Sequence, residues 1–587
     1  MTSIHLALSD YVIVVGYLVV VVLVGAWFRN RVRNARDYFA GGQQIPWWMA
    51  GISHYMSSFS AFSFIAYSQL GYTYGWVAVT LFWVTIPGCL AGALYFAKYW
   101  RRARVITPIQ FLEERYNGFV RQFFAWAGIP MKIFDDALKV FATGLFVSIA
   151  CGVSLYWSIA LCGAVMIAYS FLGGLWALVV TDYVQFLMKV LAMLFLLPMA
   201  ILRAGGIHKA FRGLPPHFFA PVNGPCGWIY VAGFAAVMVV SYNASWSLAQ
   251  KYYSVRTEKD ASKAAYFSGA LNLVGAPLMI LPAVIGRNIL PDLLAQGRTA
   301  DVYVLLVGSL LPAGMVGIIL AAMLSATMAT VSADFNAIAS VLTEDVYVRF
   351  IAPSSSEEGR LFIGRWSTLL LGAITVSLGL WVAWTHEQSL FNLMVTVLGI
   401  FLSPTLIPLL AGLTTRRVNA TGAFTGFLAG LLTGFLMLSL KTWWPATDSI
   451  LGSAYNFEGA SLLLNTAMTL LGMVLGSRFS RTPVDEQQRT KAFFAAMQLS
   501  RDGIPSKVSG GNPAGPALAA STLAMGALIV VAGLISGSVI ARSVDSAVGV
   551  TLILIGILLY MRANRHRQTP RFAPDPEEHR MPEIKER

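Results

Sequence analysis

The sequence predicts an all-α membrane protein whose core is a five-plus-five inverted helix repeat, with one transmembrane helix before it and about four after it. Three observations lead there. Of 587 residues, 57% are hydrophobic and only 12% charged, against roughly 25% charged in soluble domains. About fifteen apolar stretches approach or exceed the ~20 residues that cross a ~30 Å hydrocarbon core; they lie near 8–27, 46–72, 74–98, 122–152, 155–173, 175–202, 229–250, 264–286, 303–341, 361–385, 390–412, 422–440, 459–477, 516–541 and 543–561. Two of them, five apart in order, are interrupted by small polar residues, at Met56-Ser57-Ser58-Phe59-Ser60-Ala61 and Ser241-Tyr242-Asn243-Ala244-Ser245-Trp246-Ser247.

Taken in order, residues 1–45 hold a leading span and a first inner loop. The leading run has no basic segment before it and no small-residue cleavage site, so it is expected to be retained rather than removed as a signal peptide. Residues 46–203 make the first five-helix repeat, 204–228 an outer loop or lid with Pro215-Pro216 and Phe218-Phe219, and 229–412 the second repeat. Five is odd, so the second copy must enter the membrane with the opposite orientation. Residues 413–477 supply two more helices, 478–515 a cytoplasmic linker with an interfacial helix near 486–501, 516–561 two C-terminal helices, and 562–587 a charged tail too polar to fold alone.

The formal charge of +14 is spread over the short loops and forms no basic face, which argues against nucleic acid as a partner. With the N-terminus outside, 32 of the 42 Lys and Arg residues fall on the inner side and 7 on the outer. The positive-inside rule therefore expects an outer N-terminus and a cytoplasmic C-terminus in a plasma-membrane protein. Cys89, Cys151, Cys162 and Cys226 have no CxxC spacing and no nearby His set, so small packing residues are expected.

Helix breaks inside a bilayer leave bare carbonyls, and these survive only where they are buried in protein or line a cavity that binds ions or solute. That points to a secondary transporter. No metal-ligand cluster or nucleophile–base constellation supports an enzyme, and a 26-residue tail is too short to be the signalling domain that a membrane sensor requires.

The motifs then become specific. Tyr38-Phe39-Ala40-Gly41-Gly42 before Pro46-Trp47-Trp48, Gly173-Gly174-Leu175-Trp176-Ala177 leading to Thr181-Asp182-Tyr183-Val184-Gln185, and Phe335-Asn336 followed by Thr343-Glu344-Asp345-Val346-Tyr347 resemble the sodium/solute symporter family over about residues 8–440. Thr107 with Gln110-Phe111-Leu112-Glu113-Glu114-Arg115-Tyr116, and Lys132-Ile133 with Asp136, are similar to its sodium–glucose branch. The resemblance implies a LeuT-like fold and Na⁺-driven symport of a small organic solute by alternating access.

It also implies site residues. Carbonyls of Met56, Phe59 and Ala326 would face sodium, while the two adjacent hydroxyl positions of the family are here Ala329 and Thr330, so one hydroxyl is missing. Asp182, Thr330 and Ser332 match positions proposed for a second sodium ion. A carboxylate within a span costs ~2.5–3.5 kcal/mol on insertion scales and marks a pathway or relay by default, although pairing of Asp182 with a neighbouring donor or with Lys189 is the plainer alternative. The sugar-binding positions of the branch correspond to Ser58, Ser63, Phe82, Asn272 and Val395, where small or apolar side chains replace acidic, amide and Lys groups. Glucose is therefore not the expected solute, and Ser245 at the second break joins the candidate set. The missing hydroxyl keeps a weakly coupled or sodium-independent transporter as the alternative.

Span 122–152 carries Lys132, Asp135, Asp136 and Lys139, spaced so that Lys132–Asp136 and Asp135–Lys139 can each pair at i,i+4. Either a structural ion-pair cluster or a network touching solute fits that spacing. His54, four residues before Ser58, could titrate near neutral pH or simply pack through hydrogen bonds. Asp334 reads as a vestibule charge, and Pro404 and Pro408 as a hinge.

Overall fold

The computed structural model describes residues 6–29, 34–385, 390–444, 451–499, 514–536 and 539–568. The chain opens with α1 (Leu8–Arg29). The first repeat follows as the broken pair α2 (Trp47–Met56) and α3 (Ala61–Tyr74), then α4 (Val77–Ala103), α5 (Gly118–Cys151), α6 (Leu155–Phe171) and α7 (Gly174–Arg203). The second repeat is the broken pair α8 (Trp228–Ala244) and α9 (Trp246–Tyr253), then α10 (Glu258–Ile289), α11 (Val302–Leu310) leading into α12 (Met315–Ile351), α13 (Glu357–Trp384) and α14 (Leu390–Thr414). After it come α15 (Ala420–Trp443), α16 (Ala454–Phe479), the short α17 (Val484–Leu499), α18 (Ala514–Ile535) and α19 (Val539–Gln568).

Side-chain caps set many of these boundaries. Asn117 accepts from the Val120 amide at the start of α5, and Thr257, Ser356 and Asn419 do the same for α10, α13 and α15, each satisfying an amide that the first turn leaves without a partner. The join between α6 and α7 is a kink at Gly174, where φ is 58° and ψ −170°. An added Cβ there would also lie 2.7 Å from the Tyr38 ring.

Ten described helices are long and apolar enough to cross a membrane, eleven when the 50° bend between α8 and α9 is counted within one span. The sequence offers about fifteen stretches, and the difference has local causes. Lys132, Asp135, Asp136 and Lys139 break the apolarity of α5, α2 and α3 are each short, and α6 ends before the Gly174 kink. Pro404 and Pro408 do not interrupt α14, which runs on through both.

Helix α12 is the axis of the core: every residue from Met315 to Ser340 is buried. It packs against α1, α5, α6–α7 and α13, while α15 pairs with α16 and α18 pairs with α19 along the flanks. Leu90, Leu94, Leu161, Leu194, Trp366 and Leu432 are exposed around the outside, an arrangement that suits hydrocarbon rather than water. Between the repeats, the 204–228 stretch folds over one end of the core. The Trp76 amide donates to the Phe218 carbonyl at 2.7 Å, and Gly75, at φ 80°, passes so close that a side chain there would meet that carbonyl.

Candidate ion and solute site

The first break is closed off group by group. Helix α2 ends at Ser57, the Ser58 hydroxyl turns back to the Tyr55 carbonyl at 2.8 Å, and Ser60 caps α3 in a reciprocal box with Ser63. The Ala61 amide donates to Thr327 Oγ1 at 2.8 Å. The carbonyls of Met56 and Phe59 instead point at α12, where the Thr330 hydroxyl lies 3.3 Å from the first and in close hydrogen-bond contact with the second. The same hydroxyl lies 3.1 Å from the Ala326 carbonyl. Three carbonyls from two helices thus converge on one hydroxyl, the kind of oxygen cluster that a hard cation selects. Ala329 is buried beside Thr330 and contributes no side-chain oxygen.

Asp182, Thr330 and Ser332 are not in direct contact. Asp182 is fully buried and accepts a hydrogen bond from Ser53, while its Oδ1 has no protein partner. Ser332 bonds to the Tyr169 hydroxyl. The pairing of Asp182 with Lys189 does not form. The Lys189 ammonium rests on the rings of Phe59 and Tyr55, 2.8 and 3.9 Å from their centroids, and makes no hydrogen bond. The two residues are seven apart on one helix, about 10 Å along its axis, which is too far for a pair.

A cavity of about 150 Å³ lies between the two broken helices. Ser58, Ser63, Phe82 and Ser245 line it, as does Thr330, so the cavity and the carbonyl cluster share a wall. Asn272 does not reach it: its amide donates to the Ser268 carbonyl at 2.9 Å within α10. Val395 lies outside the residues whose side chains are described.

The charges of α5 are rearranged relative to the spacing expectation. Asp135 and Lys139 do pair, at 2.9 Å. Lys132 and Asp136 do not; Lys132 instead reaches across to Asp334 of α12 at 3.0 Å, and Asp136 binds Lys139 at 3.0 Å. Lys139 also lies 3.3 Å from Asp334. Asp334 is thus no vestibule charge but one of the residues that tie α12 to α5, and it lines the cavity with Lys132, Asp135 and Lys139.

His54 is held in the packing. Its Nδ1 lies 2.9 Å from Ser268 Oγ and its ring stacks on Tyr252 at 5.0 Å, and it does not line the cavity.

The sodium:solute symporter family pattern matches residues 38–430. The chain belongs to that family. This symporter is 26% identical over 440 residues to a sodium/sialic acid symporter of Aliivibrio fischeri, covering 72% of this chain and 86% of the relative. It is 24% identical to a sodium/glucose cotransporter of Vibrio parahaemolyticus, covering 76% and 88%, and 27% identical to a sodium/mannose cotransporter of Bos taurus, covering 80% and 87%. Among solved structures, the substrate-bound outward-open state of a Na⁺-coupled sialic acid symporter superposes with a TM-score of 0.70 at 20% identity, covering 81% of this chain and 99% of that one. The fold of this symporter is therefore LeuT-like, and its activity is secondary active transport across a membrane that it spans many times.

At the cytoplasmic end expected from the charge distribution, Glu113 binds Arg349 at the end of α12 and Arg121 at the start of α5. The two guanidiniums, Arg349 foremost, hold the Glu113 carboxyl down at about 2. Arg115 in the same stretch is buried and donates to the carbonyls of Thr415 and Val418 and to Thr490 of α17, so the short helix inside the 478–515 stretch packs on this inner end.

Proposed function

We propose that this symporter couples the inward movement of Na⁺ to uptake of a small organic solute, with the ion held by the carbonyls of Met56, Phe59 and Ala326 and the hydroxyl of Thr330. The convergence of those oxygens on Thr330 carries the reading. A helix supplies carbonyls for a cation only where it is unwound, and the 57–60 break is such a place. A second ion is assigned to the region of Asp182, Ser332 and Thr330, where the unpartnered Asp182 Oδ1 is a spare hard ligand. One sodium ion moving down ~100 mV releases ~2.3 kcal/mol, and each ~1.4 kcal/mol supports a tenfold solute gradient, so a single ion drives useful accumulation.

The solute is placed in the cavity against Ser58, Ser63, Ser245 and Phe82, beside the ion. Relatives named for sialic acid, glucose and mannose share this family, and the charged wall of α5 and α12 supports an ionic rather than a sugar ligand. The charge distribution supports an N-terminus outside the plasma membrane and a C-terminus in the cytoplasm.

The test is solute uptake by proteoliposomes across a panel of compounds, with and without an inward Na⁺ gradient. Gradient-dependent accumulation supports the reading. Ala329 supplies no hydroxyl, so uptake that is indifferent to sodium would instead favour the weakly coupled transporter.

A further inference from the structure

The charged wall of the cavity divides into a saturated half and an open half. An ammonium has three N–H donors, and Lys139 Nζ meets three carboxylates, Asp135 at 2.9 Å, Asp136 at 3.0 Å and Asp334 at 3.3 Å. It has nothing left to offer a ligand. Lys132, only 7% exposed, has one close partner, Asp334 at 3.0 Å, while Asp135 stands 3.9 Å away, beyond hydrogen-bond reach. Lys132 and Asp135 both line the cavity. Ser57, whose hydroxyl is buried and has no partner, lines it as well.

An ammonium with spare donors and a carboxylate with spare lone pairs, side by side in a site of low dielectric, select a ligand that carries both signs. A simple anion would join a cluster that already holds three carboxylates against two ammoniums, and a simple cation would face the open donors of Lys132. A neutral ligand would bring no opposite charge to the spare donors of Lys132 or to the spare lone pairs of Asp135. Phe82, Phe234, Met238 and Leu248 supply apolar lining to the same cavity.

We infer that the solute is a zwitterion of amino-acid type, its anionic group taken by Lys132 and its cationic group by Asp135. The two charges of an α-amino acid sit on one carbon, which is the compactness that bridging a 3.9 Å pair requires. Ser57 and its neighbours in the break bind the remaining polar atoms. The inference rests on the symporter reading above and names the solute class of that site.

The experiment is thermal stabilisation of the purified full-length protein in detergent with NaCl present. The probes are the common amino acids, β-alanine and taurine as zwitterions, glucose as a neutral sugar, lactate as an anion and butylammonium as a cation. At least one zwitterion is expected to raise the melting temperature. Its amide, which lacks the negative charge, and its N-acetyl form, which lacks the positive one, are expected to bind at least about tenfold more weakly, as is the zwitterion to Asp135→Asn. Lys139 keeps Asp136 and Asp334 in that variant, so the fold retains its cross-tie, and Lys132→Met repeats the test from the other side. Failure of every zwitterion to stabilise the unmutated protein overturns the inference, and so does an N-acetyl form that binds as well as its parent. Sodium-driven uptake of a sugar or a simple anion would remove this inference and leave the symporter reading intact; a zwitterion that binds without sodium dependence would do the reverse.

Discussion

Thr330 and Asp334 stand one turn apart on the fully buried stretch of α12, and each closes a different half of one site. The Thr330 hydroxyl meets the carbonyls of the first helix break, and the Asp334 carboxylate meets Lys132 and Lys139 of α5. Both line the same cavity. A shift of α12 by a fraction of an ångström is therefore felt by the carbonyl cluster and by the charged wall together, which is the physical requirement for coupling two ligands.

Lys139 is the keystone of the charged wall. Lys139→Met leaves three carboxylates facing Lys132 alone and should destabilise the protein by about 3–5 kcal/mol. Lys132→Met leaves Lys139 with all of its partners and should cost clearly less. Thermal unfolding of the two purified variants checks the order; equal losses would show that Lys132 is as structural as Lys139.

Gly174 holds the kink between α6 and α7 in a backbone region open essentially to glycine, with the Tyr38 ring and carbonyl against its open side. Gly174→Ala should cost about 1–3 kcal/mol. A lowered melting temperature is expected, and an unchanged one would mean that the kink relaxes freely.

Glu113 gives a pH signature. Its carboxyl is held at about 2, below the ordinary 4.5, by Arg349 and Arg121. A depressed value means that the stabilisation is complete above the unfolded value of 4.5 and is lost as the pH falls from there towards 2. Melting temperature should therefore decline over that window in the unmutated protein and decline less steeply in Glu113→Gln. Parallel curves would show that the Glu113 pairs add nothing to the inner end.

Orientation is open to direct labelling. Single cysteines placed in 28–45, 99–121, 251–263 or 478–515 should resist impermeant thiol reagents in intact cells, with little background from the buried Cys226. Labelling of all four from outside would reverse the topology.

Much of this was legible in the sequence, because helix breaks and membrane spans are written in local composition. The Ser clusters at 57–60 and 241–247 mark real breaks, and the carbonyls of Met56, Phe59 and Ala326 lie around the Thr330 hydroxyl. Pairing across helices was not legible. The i,i+4 rule sees only one helix at a time, and the two acids and two bases of this cluster on α5 balance among themselves, so it assigned Asp136 to Lys132 and missed Asp334 on α12. Nor does the sequence reveal that Asn272 spends its amide on the Ser268 carbonyl of its own helix.

The proposed sodium site is tested most directly by titrating Na⁺ against purified protein, with Na⁺-dependent tryptophan fluorescence as the readout. Thr330→Ala removes the one side-chain oxygen of the cluster and is expected to raise the half-saturating Na⁺ concentration about tenfold or more, as loss of a ligand worth ~1.5–3 kcal/mol requires. Ala329→Ser restores a second hydroxyl and is expected to lower that concentration or leave it unchanged. A folded Thr330→Ala protein that binds Na⁺ as well as the unmutated one would contradict the assignment.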